Sequence, residues 1–407
     1  MKTEVKKMAG YRLYGLLYRI FSLLPVDGNR AYFVMTHDSS GEGNCGVMKE
    51  KLEARGYRCD ALTRAEAAGV GFIFRSAYRL ARSRFIFLDN TFLPLSCLRL
   101  RKGSTLTQLW HGTGTIKKFG QDVTIGRLKD LEARCGRNIS HLIVSSPATK
   151  SIYAGCFGVP EDRVRVLGLP RSDAFFAPGF AEAARARFEE KYPAAKGRRL
   201  VLYAPTFRDD AGNEDEQIRM IGDFARDFSA RMPKDSILGL RLHPYVSSRL
   251  AGNPGSGADV SVPGSTGTSS RELSNGIASP AAAKTRILDL THFSGLNTLL
   301  GAADVLITDY SSIIFEYSLL RRPMYFYAYD LGRFEGSDRG FYRDYRGYVP
   351  GPVYTRREEL LDALSATLRS GRTTVSETTG AYGSFLADSF SYTDGRSAER
   401  IMELLGV

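Results

Sequence analysis

The strand-like run Gln108-Leu109-Trp110 leads into His111-Gly112-Thr113-Gly114, followed by Lys117 and Lys118. A strand entering a glycine-bracketed turn presents His111 at its carboxyl end, and imidazole is the side chain best poised to take a proton near neutral pH. Four further segments also stand directly after apolar runs. Gly168-Leu169-Pro170-Arg171-Ser172-Asp173 offers Arg171, a residue suited to phosphate, although alone it reads equally as a structural ion-pair former. In Tyr203-Ala204-Pro205-Thr206-Phe207-Arg208, Pro205 stops the strand, and Thr206 and Arg208 stand at its exit. In Leu240-Arg241-Leu242-His243-Pro244, alternation puts Arg241 and His243 on one side, a pair suited to an anion.

The richest segment runs from Asp304 to Glu316, where an apolar strand meets Ser311 and Ser312 at the start of a helix. Free backbone N–H groups, the helix dipole and two hydroxyls would cradle a phosphate; the plainer alternative is that the serines only cap the helix. Ser312 and Glu316 are four residues apart, hence on one helix face, and this is not the capping-box spacing. Glu316 is thereby left to a ligand hydroxyl. The five histidines are scattered, with no H-E-x-x-H and no clustered D-x-D, and there is no Walker loop. A set of His, Arg, paired Ser and Glu suits transfer from a nucleotide diphosphate without metal or cofactor, fixed cations standing in for Mg²⁺.

Positioning such segments requires strands that end where they begin. Apolar strands are expected at Ala31–Met35, Phe85–Leu88, Leu106–Trp110, His141–Ser145 and Val164–Leu167, with a helix over Val47–Arg55. A second series is expected at Leu200–Ala204, Leu238–Leu242, Ile287–Leu290, Asp304–Thr308 and Met324–Ala328. Helical patterns fall at Ala181–Lys191, Ile218–Arg231, Gly295–Ala302, Ser312–Leu320 and Glu358–Leu368. Short apolar runs alternating with helices mean α/β domains with parallel sheets, whose ligands sit beyond the carboxyl ends of the strands. The expected layout is a helix over residues 1–27, a Rossmann-like domain over 28–178, a second over 195–375 and a helical segment over 376–407. The stretch 247–284, rich in Gly, Ser, Pro and Ala, reads as a flexible insertion.

At 407 residues the chain exceeds one ordinary core, and 43% hydrophobic with 25% charged residues is a globular composition. Five cysteines without C-x-x-C spacing argue against a disulfide framework or zinc site and for a reduced, cytoplasmic setting. The net charge of +12 favours anionic partners. No nucleic-acid module is present, so phosphate-rich substrates and membranes are the expected partners rather than nucleic acid. The basic N-terminus spaces Leu13, Leu16, Leu17, Ile20 and Leu24 helically, beside Tyr14, Tyr18 and Phe21, with Arg19 interrupting and Pro25 ending the run. It falls short of a bilayer span of ~20 apolar residues and lacks a cleavage site. An amphipathic helix on an anionic inner leaflet is expected, the alternative being a stripe that packs on the protein's own body.

Taken together, the segments resemble the CDP-glycerol:polyglycerol-phosphate glycerophosphotransferase family of bacterial teichoic-acid synthesis. The matching residues are Trp110–Gly120, Gly168–Asp173, Tyr203–Arg208, Arg241–Pro244, Asp304–Glu316, Arg339–Tyr342 and Pro350–Pro352, in family order. The resemblance implies a GT-B-like architecture: two Rossmann-type domains facing across a cleft, the second holding the nucleotide. It implies an enzyme in which a hydroxyl of a lipid-linked polymer attacks the β-phosphorus of CDP-glycerol and releases CMP, at the cytoplasmic face of the membrane. By carry-over His111 looks like the general base, and Arg241 and His243 look like diphosphate ligands, His243 sharing in catalysis. Ser311 and Ser312 would hold phosphate, and Glu316 a donor hydroxyl. Arg171, Pro205 and Thr206 would complete donor binding, with Trp110, Gly112, Thr113, Gly114 and Leu242 forming the flanking turns. A CDP-ribitol or other polyol-phosphate transferase, or a nucleotide-sugar glycosyltransferase, fits the same motifs, and homo-oligomerisation is left open. Gly114 departs from the family's usual Pro, which would loosen the turn that aims His111.

Overall fold

Apolar runs flanked by glycine, serine or aspartate recur along the chain, and in the computed structural model most become strands buried on both faces, as parallel sheets require. The structure describes residues 2–67, 71–208, 214–251, 286–336, 340–372, 374–375 and 380–407. It comprises two compact units, one of residues 1–177, 337–342 and 386–407, the other of residues 178–336 and 343–385.

The first unit carries strands β1 (Asp27–Met35), β2 (Arg58–Thr63), β3 (Ser83–Leu88), β4 (Thr105–Gln108), β5 (His141–Val144) and β6 (Val164–Val166). They form one parallel sheet in the order β2-β1-β3-β4-β5-β6. One face packs against the helices Lys2–Phe21 and Phe72–Arg82 through Tyr14, Tyr18, Leu80 and Ala81, and the other against Asn44–Ala54 and the C-terminal helix Ser397–Leu405. The return of Ala398, Ile401 and Met402 to this core was not legible in the sequence, because their apolar spacing names no partner.

The second unit carries β7 (Arg199–Ala204), β8 (Ser236–Leu240), β9 (Ile287–Asp289), β10 (Val305–Thr308), β11 (Met324–Tyr327) and β12 (Val353–Tyr354), in the parallel order β12-β11-β10-β7-β8-β9. The helices Glu214–Arg231 and Arg357–Ser370 cover one face with Ile221, Phe224, Leu360 and Leu364. The α/β, GT-B-like class expected from the sequence, with two Rossmann-type parallel sheets, is the class observed. β2 and β12 escape the apolar-run rule: β2 carries Arg58, Cys59 and Asp60, and β12 spans two residues.

One boundary is corrected. Residues 247–251 of the expected insertion belong to the helix Pro244–Ala251, whereas residues 252–285 lie outside the described residues. The N-terminal helix is also more than a surface element. Tyr14 and Tyr18 are 1% and 2% exposed, and the Tyr14 hydroxyl lies 2.8 Å from Ser76 Oγ. Leu13, Leu16 and Ile20 remain about half exposed on the same helix, and Leu23 is exposed beyond its end.

Candidate functional site

In an open parallel sheet, ligands gather beyond the carboxyl ends of the strands where the strand order reverses. In the first unit this reversal lies between β1 and β3, with β4 next to β3. Thr36-His37-Asp38 follows β1, Asp89 follows β3, and the His111 turn follows β4, so three adjacent strand ends deliver one cluster.

His111 is half-buried, and its Nδ1 lies 2.9 Å from the backbone carbonyl of Asp89. A carbonyl can only accept, so in the neutral ring the proton sits on Nδ1 and Nε2 keeps its lone pair. Burial lowers the His111 pKa to about 3, assisted by His37 and Arg171 and opposed by the Asp89 hydrogen bond. His37 stacks on His111 with ring centroids 3.6 Å apart and planes 15° apart. The Asp89 carboxylate accepts from the backbone N–H groups of Thr36, His37 and Asp38 at 3.1, 3.0 and 2.8 Å. Burial raises the Asp89 pKa to about 6 despite these hydrogen bonds.

The turn that aims His111 is held in an unfavourable shape. Trp110 has φ +56°, a left-handed conformation that costs a non-glycine residue roughly 1–2 kcal/mol. Its N–H donates to Gln108 Oε1 at 2.9 Å, Asn44 Nδ2 donates to its carbonyl at 3.0 Å, and its ring stacks on Phe119. Gly114 has φ +67°, which proline cannot adopt, so the departure at this position builds a different turn. The Tyr153 hydroxyl lies 2.8 and 3.1 Å from the carbonyls of Gly112 and Gly114 and braces that turn, and Thr113 is buried within it. Beyond it, Lys117 bridges antiparallel to Phe341, and Tyr342 donates to Asp122 Oδ2 at 2.6 Å.

Arg171 is buried in this first unit, its guanidinium donating to the His111 carbonyl at 2.6 Å and its backbone N–H to Asn44 Oδ1 at 3.0 Å. It therefore braces the His111 turn. Asn44, His37 and Asp89 went unnoticed in the sequence, yet His37 and Asp89 follow their strands closely and Asn44 opens the helix after β1. Asn44 also lies in Gly41-Glu42-Gly43-Asn44-Cys45-Gly46, a G-x-G-x-x-G spacing that opens a helix directly after β1 and could have marked it. A Cβ on Gly46 would come within 2.3 Å of the Ser40 carbonyl, so this tight loop needs glycine there.

In the second unit the strand order reverses at β7, which lies between β10 and β8. The segments after β7 and β10 are locked together by a buried ion cluster. Arg208 pairs with Asp309 at 2.8 Å and Asp330 at 2.6 Å, with side chains 4%, 1% and 9% exposed. Asp309 also accepts from the Thr206 N–H at 2.8 Å, and Tyr310 donates to Asp330 at 2.9 Å. Arg208 and Asp309 thus serve as the frame that fixes Pro205, Thr206, Ser311 and Ser312. Thr206 Oγ1 is buried without a hydrogen-bond partner.

Ser312 stands at the start of the helix Ile313–Ser318 without capping it through its side chain, while Ser311 Oγ accepts weakly from the Ile313 N–H at 3.4 Å. That helix is only six residues long, so the dipole invoked for a phosphate cradle is short. Glu316 is fully buried. Arg241 and His243 follow the end of β8 rather than continuing it. Arg241 donates to the Phe293 carbonyl at 3.0 Å, and buried Leu242 donates its N–H to Thr291 Oγ1 at 3.2 Å. His243 is exposed, stacks on Phe207 at 4.3 Å, and accepts the Tyr245 N–H on Nδ1 at 3.4 Å, which puts its neutral-state proton on Nε2. Among the described residues no group of three or more His, Cys, Asp or Glu could hold a metal ion.

Comparison with known proteins places this geometry in a family. The chain is 30% identical, over 419 residues covering all of it and 98% of the relative, to the teichoic acid ribitol-phosphate primase of Bacillus spizizenii. It is 24% identical, over all of its length and 99% of the relative, to the teichoic acid glycerol-phosphate transferase of Staphylococcus aureus. Its fold matches the wall teichoic acid polymerase TagF with a TM-score of 0.70 at 18% identity, covering 97% of this chain and 93% of that one. The family described as CDP-glycerol:poly(glycerophosphate) glycerophosphotransferase matches residues 16–264 and 272–406, and the chain belongs to it.

Proposed function

We propose that this chain transfers a polyol phosphate from a CDP-activated polyol to a hydroxyl of a lipid-linked, teichoic-acid-type acceptor, with His111 as general base. The observation that supports this most is the His111 tautomer, whose Nδ1–H is committed to Asp89 and whose Nε2 is left as the proton acceptor. In this reading the acceptor oxygen bonds to the β-phosphorus, the bond from that phosphorus to the CMP oxygen breaks, and the hydroxyl proton passes to Nε2. The resting imidazole is neutral, and an arriving diphosphate raises its proton affinity, because a nearby anion favours the imidazolium.

The donor is assigned to the second unit. Thr206, His243, Ser311 and Ser312 contact its phosphates and ribose, with Pro205, Leu242 and Arg241 shaping their loops. Glu316 takes a donor hydroxyl in this reading only if the donor displaces its present surroundings. In this reading hydrogen-bond donors at these positions orient the diphosphate for transfer without a metal, and a chelator is expected to leave the rate unchanged.

Two donors divide the reading. The family's description names glycerol, whereas the relative at 30% identity is named for ribitol phosphate and the one at 24% for glycerol phosphate. The higher identity favours CDP-ribitol, and CDP-glycerol is the second reading. Incubation with each CDP-polyol and a lipid-linked acceptor, followed by CMP release, decides between them. No release with either sinks the proposal, and turnover of a nucleotide sugar alone would point to glycosyl transfer. His111→Ala is expected to lose about 10²–10⁴-fold in turnover while still binding the donor.

Peripheral placement on the cytoplasmic face of the membrane belongs to the same proposal. Leu16, Ile20 and Leu23 are 54%, 50% and 86% exposed. Beside them Arg19, Arg99, Arg134 and Arg137 line a depression of about 510 Å³ that has no acid among its lining residues. Exposed apolar side chains next to cations suit an anionic lipid surface. Among the described residues no helix is long and apolar enough to cross a membrane.

A further inference from the structure

We propose that His37 is a positioning residue for His111: its ring covers one face of the base, and the two stacked imidazoles hold no more than one proton between them. The proposal rests on His111 being the base of the transfer reaction. His37 belongs to none of the motif segments that carry the family resemblance and comes from a different strand end.

The geometry is over-determined. Asp89 holds the backbone at His37 and the ring of His111, taking the His37 backbone N–H on its carboxylate at 3.0 Å and the His111 Nδ1–H on its carbonyl at 2.9 Å. The planes are 15° apart with centroids at 3.6 Å, and the Trp110 ring stands 4.0 Å from His111 at 32°. His111 is thereby confined on its Nδ1 edge by Asp89, over a face by His37 and at its side by Trp110. Rotation about its side-chain bonds is blocked unless His37 moves, and Nε2 is kept on one bearing.

The stack also sets an electrostatic condition. Two cationic rings at this separation repel strongly in any protein dielectric, so protonation of either opposes protonation of the other. His37 faces Asp38, Arg64 and Arg171 besides His111 and the Asp89 carboxylate, while His111 faces Arg171 and the Asp89 backbone. The two arginines disfavour a proton on the pair, and the Asp38 carboxylate favours one on His37. When His111 accepts the acceptor's proton, His37 must be neutral. An acidic medium that protonates the more exposed His37 therefore shuts off proton uptake by His111.

Two variants separate the positional and electrostatic parts. His37→Phe keeps a flat ring over His111 but cannot titrate, and His37→Ala removes both. Histidine ¹⁵N NMR on the unliganded protein is expected to show the His111 midpoint rising by roughly one pH unit in both variants. With CDP-polyol and acceptor, kcat of His37→Ala is expected to fall by roughly tenfold or more. His37→Phe should recover most of that loss, with its acid limb displaced to lower pH because no proton on residue 37 can oppose uptake by His111, and with KM for the donor unchanged in both. An unchanged His111 midpoint in His37→Phe, or wild-type kcat in His37→Ala, overturns the proposal. If the wild type itself releases no CMP, the transfer reading fails while the NMR midpoint still decides whether the rings share a proton.

Discussion

The guanidinium of Arg171 donates to the backbone carbonyl of His111 at 2.6 Å, so the arginine of the Gly168–Asp173 segment grips the loop that carries His111. This geometry separates a positioning role from the donor-binding role that the family resemblance implied. Arg171→Ala is expected to lower kcat with little change in donor KM, and to cost about 1–3 kcal/mol in stability from the abandoned carbonyl. Steady-state kinetics with urea unfolding checks both. A raised KM at unchanged kcat would instead return Arg171 to the donor.

Arg208 sits between Asp309 and Asp330 in a nearly dry cluster. Removing one member of such a cluster leaves uncompensated buried charge. Arg208→Ala is expected to destabilise the second unit by about 3–5 kcal/mol. Because the Thr206 N–H is held by Asp309, donor affinity should fall too. Chemical denaturation followed by donor titration measures the two effects, and a stability near wild type would show that water had replaced the pair.

The N-terminal helix presents two separable faces. Tyr18→Ala should lower the melting temperature, since its ring is buried and its hydroxyl accepts the Arg101 N–H at 3.0 Å. Replacing Leu16, Ile20 and Leu23 together by Glu should leave the melting temperature nearly unchanged and reduce sedimentation with anionic vesicles. This design is cleaner than deleting residues 1–25, which would also remove Tyr14 and Tyr18 from the core. Unaltered vesicle binding would remove the leucine ridge from the membrane reading.

Two buried groups oppose each other in the acid range. His111, lowered from 6.5 to about 3, contributes stability that is present above pH 6.5 and lost as pH falls towards 3. Asp89, raised from 3.8 to about 6, contributes stability that is present below pH 3.8 and lost as pH rises through 6. One proton gives a slope of at most about 1.4 kcal/mol per pH unit. Substituting His111 by Asn should therefore flatten the acid-side loss between pH 6.5 and 4, while Asp89→Asn should steepen it. Urea midpoints at pH 7, 5.5 and 4.5 test both directions.

The sequence by itself determined the two parallel sheets and the segments that end their strands. Runs such as Leu200–Ala204 and Val305–Thr308 are buried on both faces, and the residues that follow them, Pro205 and Asp309, mark where the chain leaves the sheet. It therefore placed His111, Thr206 and Ser311-Ser312 at strand ends from local pattern alone. It could not determine partners distant in sequence, because hydrogen bonds between residues 22, 60 or 103 positions apart leave no local signature. Tertiary structure alone decided that Asp89 fixes the His111 tautomer, that Arg171 and Arg208 are framework cations, and that His37 stacks on His111. It also divided the apolar residues of the first helix. Tyr14 and Tyr18 turn inward because their hydroxyls find Ser76 and the Arg101 N–H in the core. Leu16 and Ile20, four residues apart on another face of the same helix, stay outside.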